Sequence, residues 1–203
     1  MPYKLRDHYF QKAKKEGYLA RAVFKLQQIQ DKHRLVRRGD RVLDLGAAPG
    51  SWTQLASELA GPQGRVVAVD FKPVDGRGAK NVAVLERDVY DPELGAALEE
   101  SGPFDVVLSD MAPATTGIRV TDCSRSAALF ERALDLTEVL LRPGGHFLGK
   151  LFNGEDFHEI HRRAKLLFEQ VKVVKPDASQ KSSKEIYILA MRFKKPKSAD
   201  GGE

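Results

Sequence analysis

The segment Val42-Leu43-Asp44-Leu45-Gly46-Ala47-Ala48-Pro49-Gly50-Ser51-Trp52 constrains this chain more than any other. Its apolar residues run into a cluster of Gly, Ala and Pro and then resume at helical spacing. That is the pattern of a buried strand, a tight loop and a helix start, with Ser51 placed as N-cap. Small or absent side chains at Gly46, Ala47, Ala48 and Gly50 let a ligand approach the backbone closely. In an open parallel sheet such a loop lies at the carboxyl end of the first strand, where ligands bind.

The rest of the chain alternates in kind. Apolar runs fall at 42–45, 66–69, 82–85, 104–109, 146–151, 170–174 and 186–193, with helical patterns at 52–60, 92–100, 124–141 and 155–168. This predicts an α/β fold: a seven-stranded, mostly parallel sheet with helices on both faces. Only a short polar loop separates the last two runs, too little for a helical crossover, so those strands pair antiparallel. Upstream, Leu19, Ala22, Val23, Leu26 and Ile29 predict an amphipathic helix over 19–35, closed by the turn Val36–Asp40. Residues 1–18 show no clear periodicity and read as a basic arm, 19–193 as a single domain, and 194–203 as a frayed tail.

At 203 residues, with 42% hydrophobic and 30% charged residues, the chain suits one soluble domain with a substantial core. No apolar run reaches the ~20 residues that span a bilayer, and the charged start lacks a signal-peptide core. The single cysteine, Cys123, excludes an internal disulfide and a multi-cysteine metal site; a cytoplasmic location follows. The net charge of +5 is concentrated early, where Lys4, Arg6, Lys12, Lys14, Lys15 and Arg21 alternate with Tyr3, His8, Tyr9, Phe10 and Tyr18. Such a run is either a solvated helix face or a surface for a phosphate-rich partner, with His8 a candidate RNA contact.

Asp70 closes the second strand, about 20 residues past the glycine loop, where an acid accepts hydrogen bonds from ribose hydroxyls. NAD and S-adenosylmethionine both present such hydroxyls. The loop, however, is Gly-x-x-x-Gly with Pro49 inside, a poor pyrophosphate cradle because proline offers no N–H. Asp88, after the third strand, is either an acceptor for an adenine amino group or an exposed turn acid. An antiparallel strand near the end of the sheet also favours a methyl-transfer fold over a dehydrogenase.

Asp110 ends the fourth strand, in Ser109-Asp110-Met111-Ala112-Pro113. Lys150 ends the fifth, in Gly149-Lys150-Leu151-Phe152, where burial makes an unpaired lysine costly. Glu185 starts the last strand and Lys25 lies on the N-terminal helix. Together with Asp44–Trp52, these motifs resemble the FtsJ/RrmJ family of S-adenosylmethionine-dependent ribose 2′-O-methyltransferases acting on RNA. The similarity runs from about Arg21 to Phe193 and includes Lys175-Pro176-Asp177-Ala178-Ser179.

The resemblance implies a Rossmann-like methyltransferase fold and a catalytic tetrad at Lys25, Asp110, Lys150 and Glu185. It implies cofactor contacts at Gly46, Gly50, Trp52, Asp70, Asp88 and Asp110. The implied target is a uridine of large-subunit ribosomal RNA in the assembled subunit, methylated by a monomer that needs no metal. The chain departs from bacterial ribosomal members at Ser51, where a second glycine is expected, at Ala114–Arg119, and in the Gly- and Lys-rich stretch 72–81.

Methyl transfer needs oxygen, methyl and sulfur in line and one proton managed. Lys150 is the candidate base. Asp110 and Glu185 favour its charged form, whereas Lys25, a sulfonium and burial favour the neutral one, the form expected in the ternary complex. His158 and His161 lack a third metal ligand and read as solvated surface. Three other functions remain distinguishable. Methylation of a transfer RNA or a cap would show in which RNA takes up label. A non-catalytic ribosome-assembly factor would bind cofactor without transfer. A nicotinamide dehydrogenase would need the missing Gly-x-Gly-x-x-Gly.

Overall fold

The computed structural model describes residues 2–76, 78–179 and 183–194, with side chains described from His8 onward. Seven strands form one sheet: β1 (Arg41–Leu45), β2 (Arg65–Asp70), β3 (Val82–Glu86), β4 (Phe104–Ser109), β5 (Leu141–Phe152), β6 (Phe168–Val174) and β7 (Glu185–Phe193). Their order is β3-β2-β1-β4-β5-β7-β6. All neighbours are parallel except β7, which runs antiparallel to both β5 and β6. The chain leaves β1 towards β2 on one side and returns through β4 on the other. The crevice between these two directions opens at the carboxyl ends of β1 and β4.

Helices cover both faces: α1 (Pro2–Lys15), α2 (Val23–His33), α3 (Ser51–Ala60), α4 (Leu94–Glu99), α5 (Arg119–Leu140) and α6 (Phe157–Leu167). Strand alternation divides the core in two. Leu43, Leu45, Val67, Val69, Val107 and Phe147 point to the side of α4, α5 and α6. Val42, Val66, Val106, Leu108, Leu148, Tyr187 and Leu189 point to the side of α2 and α3. Burying each of these side chains contributes about 1.5–3 kcal/mol, so the two layers, rather than helix propensity, hold the architecture.

Three expectations are corrected. Residues 2–15 form a helix instead of an irregular arm. It is seated by buried Ala13 and by Tyr9, whose ring lies 5.5 Å from that of Phe24 and whose hydroxyl accepts a 3.2 Å bond from Gln28. The next helix starts at Val23, not 19, and ends at His33, where Arg34 turns left-handed. Ser51 is the first residue of α3 rather than its cap; Gly50 occupies the cap at φ 119°, a conformation that suits glycine. The tail assigned to 194–203 lies outside the described residues beyond Lys194.

Candidate active site

Strand parity builds the site. Asp110 follows β4 in phase with Val106 and Leu108, and Lys150 lies on β5 in phase with Leu148. Glu185 and Tyr187 lie on β7 in phase with Leu189. All four therefore face α2 and α3. The antiparallel register sets Lys150 opposite Tyr187 and Phe152 opposite Glu185. Lys25 reaches the same place from α2, whose Val23, Phe24, Leu26 and Ile29 are buried against this side of the sheet. Trp52 fixes that helix by donating its indole N–H to the Ala22 carbonyl at 2.9 Å.

The side chains meet as two ion pairs. Lys25 Nζ lies 2.6 Å from Glu185 Oε1. Lys150 Nζ lies 3.0 Å from Asp110 Oδ1 and donates a 2.5 Å bond to the Asp110 carbonyl. Tyr187 joins them: its hydroxyl donates to Asp110 Oδ1 at 2.7 Å, and its ring lies 5.8 Å from Lys25 Nζ. Burial, then the carboxylates of Asp110 and Glu185, pushes the Tyr187 hydroxyl well above its ordinary pKa, so it stays a donor. Ser179 donates to Glu185 Oε1 at 2.9 Å. Lys150 is the more enclosed amine, with its side chain 6% exposed against 13% for Lys25. Charges taken this far from water persist only when paired and further hydrogen-bonded, which is the arrangement found.

Beside the pairs, a cleft of about 480 Å³ opens over the carboxyl ends of β1, β2 and β4, lined by Gly46, Ala48, Asp70, Phe71, Arg87, Asp88, Tyr90, Asp110 and Met111 among others. Among the described residues each Asp70 oxygen accepts one backbone N–H, Oδ2 from Ala48 and Oδ1 from Lys72, both at 2.9 Å. Each oxygen therefore keeps a lone pair for a ligand hydroxyl. Asp88 is exposed, with Oδ1 accepting the Tyr90 N–H at 2.9 Å. The cleft wall thus carries three carboxylates, exposed aromatic side chains and a loop of small residues. That combination fits a cationic nucleoside with a ribose diol, and Asp70, Asp88, Asp110 and Gly46 are the residues that would hold S-adenosylmethionine.

Gly50 and the Trp52 side chain stand behind this wall. Gly50 is buried against the Asp75 carbonyl, and Trp52 lies beneath the loop at 2% exposure. Tyr187 and Ser179 are site residues that no sequence motif singles out. A tyrosine in an apolar strand reads as core, and its phase with Glu185 was the available signal. Among the described residues no group of three His, Cys, Asp or Glu could hold a metal.

Sheet order and reversed β7 are those of the Rossmann-like methyltransferase fold, and the crevice lies where that fold takes its cofactor. The model of the FtsJ-like methyltransferase family matches residues 18–193, and the chain belongs to that family. It is 61% identical over 196 residues to a ribosomal RNA large subunit methyltransferase E of Syntrophobacter fumaroxidans, covering 96% of this chain and all of that one. A protein of the same name from Bdellovibrio bacteriovorus is 48% identical over 197 residues, covering 96% and 100%. Among solved structures, a ribosomal RNA methyltransferase, putative, from Plasmodium falciparum superposes with a TM-score of 0.78 at 25% identity, over 87% of this chain and 98% of that one. The fibrillarin of Aeropyrum pernix, solved with S-adenosyl-L-methionine, shares the fold with a TM-score of 0.61 at 24% identity, over 83% of this chain and 73% of that one.

Proposed function

We propose that this enzyme methylates the ribose 2′-hydroxyl of a uridine in large-subunit ribosomal RNA, acting on the assembled subunit in the cytoplasm as a monomer. In this reading residues 19–193 are one catalytic domain, preceded by a basic segment that meets RNA. The relatives' name, ribosomal RNA large subunit methyltransferase E, supports large-subunit ribosomal RNA as the target. The observation that carries the chemistry is the pairing of two lysines with two carboxylates around Tyr187, at the edge of a cleft suited to the cofactor.

When bound, S-adenosylmethionine supplies an electrophilic methyl carbon on a sulfonium leaving group. The protein aligns the ribose oxygen and manages its proton. In this reading Lys150, the more enclosed amine, is the base. Its neutral Nζ then takes the proton of the 2′-hydroxyl as the oxygen–carbon bond forms and the carbon–sulfur bond breaks. Asp110 orients Lys150 through its carboxylate and its carbonyl, Tyr187 holds that carboxylate, and Glu185 keeps Lys25 beside the pair.

Lys150→Ala tests this directly. Methyl transfer from labelled cofactor to large ribosomal subunits is expected to vanish, with cofactor affinity by calorimetry within about threefold of the parent. Turnover at the parental rate would remove the assignment. Mapping 2′-O-methyl groups on ribosomal RNA from cells lacking the enzyme identifies the nucleotide.

A further inference from the structure

The first two turns of α5 hold the ends of the three strands that present Asp110, Lys150 and Glu185. Asp122, on this stretch, is 3% exposed. Its Oδ1 accepts the Thr116 N–H at 2.7 Å and the Thr116 hydroxyl at 2.9 Å, which ties down the segment following β4. Its Oδ2 accepts from Lys184 Nζ at 3.3 Å, which ties down the residue immediately before Glu185. Lys184 also stands 4.8 Å over the ring of Phe152, at the end of the strand bearing Lys150. The Lys184 carbonyl accepts the Asn153 N–H at 2.8 Å. Ser126, one turn along α5, takes the Phe152 N–H at 3.0 Å.

We propose that Asp122 and Lys184 form a latch that positions the catalytic groups, locking the segments after β4, at the end of β5 and before β7 into one register. This rests on the assignment of Lys150 and its partners given above. Neither Asp122 nor Lys184 lines the cofactor cleft. The latch therefore acts through the strand ends and not by touching the cofactor cleft.

Three arguments favour positioning over simple packing. The carboxylate of Asp122 accepts three donors, so removing its charge strands groups on two different segments, the one after β4 and the one before β7. The Thr116 N–H holds the Asp122 carboxyl below the ordinary carboxylate range, so that carboxyl is ionised at neutral pH. Lys184 precedes Glu185 in the chain, so freedom gained at Lys184 passes straight to the Lys25–Glu185 pair. A misplacement of about 1 Å at a reacting group costs on the order of 100-fold in rate.

The experiment uses the full-length enzyme, large ribosomal subunits from cells lacking it, and labelled S-adenosylmethionine. Lys184→Met and Asp122→Asn are each expected to lower kcat about tenfold or more with cofactor affinity within about twofold. Lys184→Arg, which keeps charge and reach, is expected to recover kcat to within about threefold. The double variant Asp122→Asn/Lys184→Met is expected to be no worse than the poorer single one, because the two act as a unit.

A parental kcat in folded Lys184→Met overturns the latch, as does a parallel loss of cofactor affinity. A rise in KM for the subunit confined to Lys184 variants also overturns it, since Lys184 would then be gripping RNA. Should Asp122→Asn not fold, Lys184→Met, at a partly exposed position, carries the test. Lys150→Ala run alongside separates the two readings. Turnover in that variant sinks the site assignment itself, whereas an inactive Lys150→Ala beside a fully active Lys184→Met sinks only the latch.

Discussion

Asp44 shows how far a single side chain can be pushed by its surroundings. It sits in β1, fully buried, on the face shared with Asp110. Its Oδ2 accepts the Thr53 hydroxyl at 2.7 Å, and its Oδ1 has no partner among the described residues. Burial, reinforced by Asp110 and Asp70 and opposed by the Thr53 bond, raises its pKa to about 7. The folded protein therefore holds a proton that the unfolded chain gives up near pH 4. Stability from this group is complete below that pH and is lost as pH rises towards 7, at a slope of up to about 1.4 kcal/mol per pH unit. Burial lowers the pKa of His146, which produces a trend of opposite sign. Comparison with Asp44→Asn cancels that trend, because both proteins share His146. Between pH 5 and 7.5 the parent is expected to lose about 2–3 kcal/mol more than the Asn variant in urea titrations. An equal difference between the two proteins at both pH values would mean that Asp44 does not titrate in this range.

At the scale of elements, the loop from β1 into α3 is where sequence and geometry agree most tightly. Gly50 combines a φ of 119° with an ideal Cβ position only 2.5 Å from the Asp75 carbonyl oxygen. An alanine there forces either the loop or the segment around Asp75 to move, and the loop borders the cleft. Gly50→Ala is expected to weaken S-adenosylmethionine binding about tenfold or more while kcat at saturation changes less. Gly17→Ala, at φ 79° with nothing within 4 Å of its Cβ, is expected to cost only about 1 kcal/mol of stability and leave cofactor affinity intact. Calorimetric titration of both variants decides. The strands on either side were legible because their apolar runs are short and bounded by Gly, Pro or Asp. β5 begins at Leu141, five residues before the apolar run at 146; its start is not legible because Pro143-Gly144-Gly145 has the composition of a turn. In the sheet those residues interrupt the ladder, where the register shifts between Phe104 and Val106. α1 has no legible period because its apolar contacts, Tyr9 and Ala13, are few and take their meaning from Phe24 across the gap. The positions of Lys25, Asp110, Lys150 and Glu185 were readable from motif resemblance and strand ends. Their pairing through Tyr187 needed the β5–β7 register, which no local pattern encodes.

For the whole molecule, the question is how a net charge of +5 is used. The last turn of α1 carries Lys12, Lys14 and Lys15 and no acid. α1 lies on α2, the helix that delivers Lys25 to the site, through Tyr9 against Phe24 and Lys12 Nζ 4.5 Å over the Phe24 ring. The basic end of the first helix is thus fixed relative to the Lys25–Glu185 and Lys150–Asp110 ion pairs. A polyanionic substrate meeting those lysines is held in a set orientation before chemistry begins. Lys14 and Lys15 are exposed, so replacing both with alanine removes charge without opening the core. Every phosphate that a variant no longer neutralises makes the log–log dependence of RNA affinity on salt shallower by about 0.7 to 0.9. For the Lys14→Ala/Lys15→Ala variant we expect a slope shallower by about 1–2 and a KM for the large subunit raised several-fold at about 0.15 M salt, with kcat and thermal midpoint held. Filter binding across a salt series, paired with steady-state methylation, measures both. A slope identical to the parent's would show that this helix does not touch RNA, and the orienting role would pass to the surface around Arg21 and the carboxyl edge of the sheet.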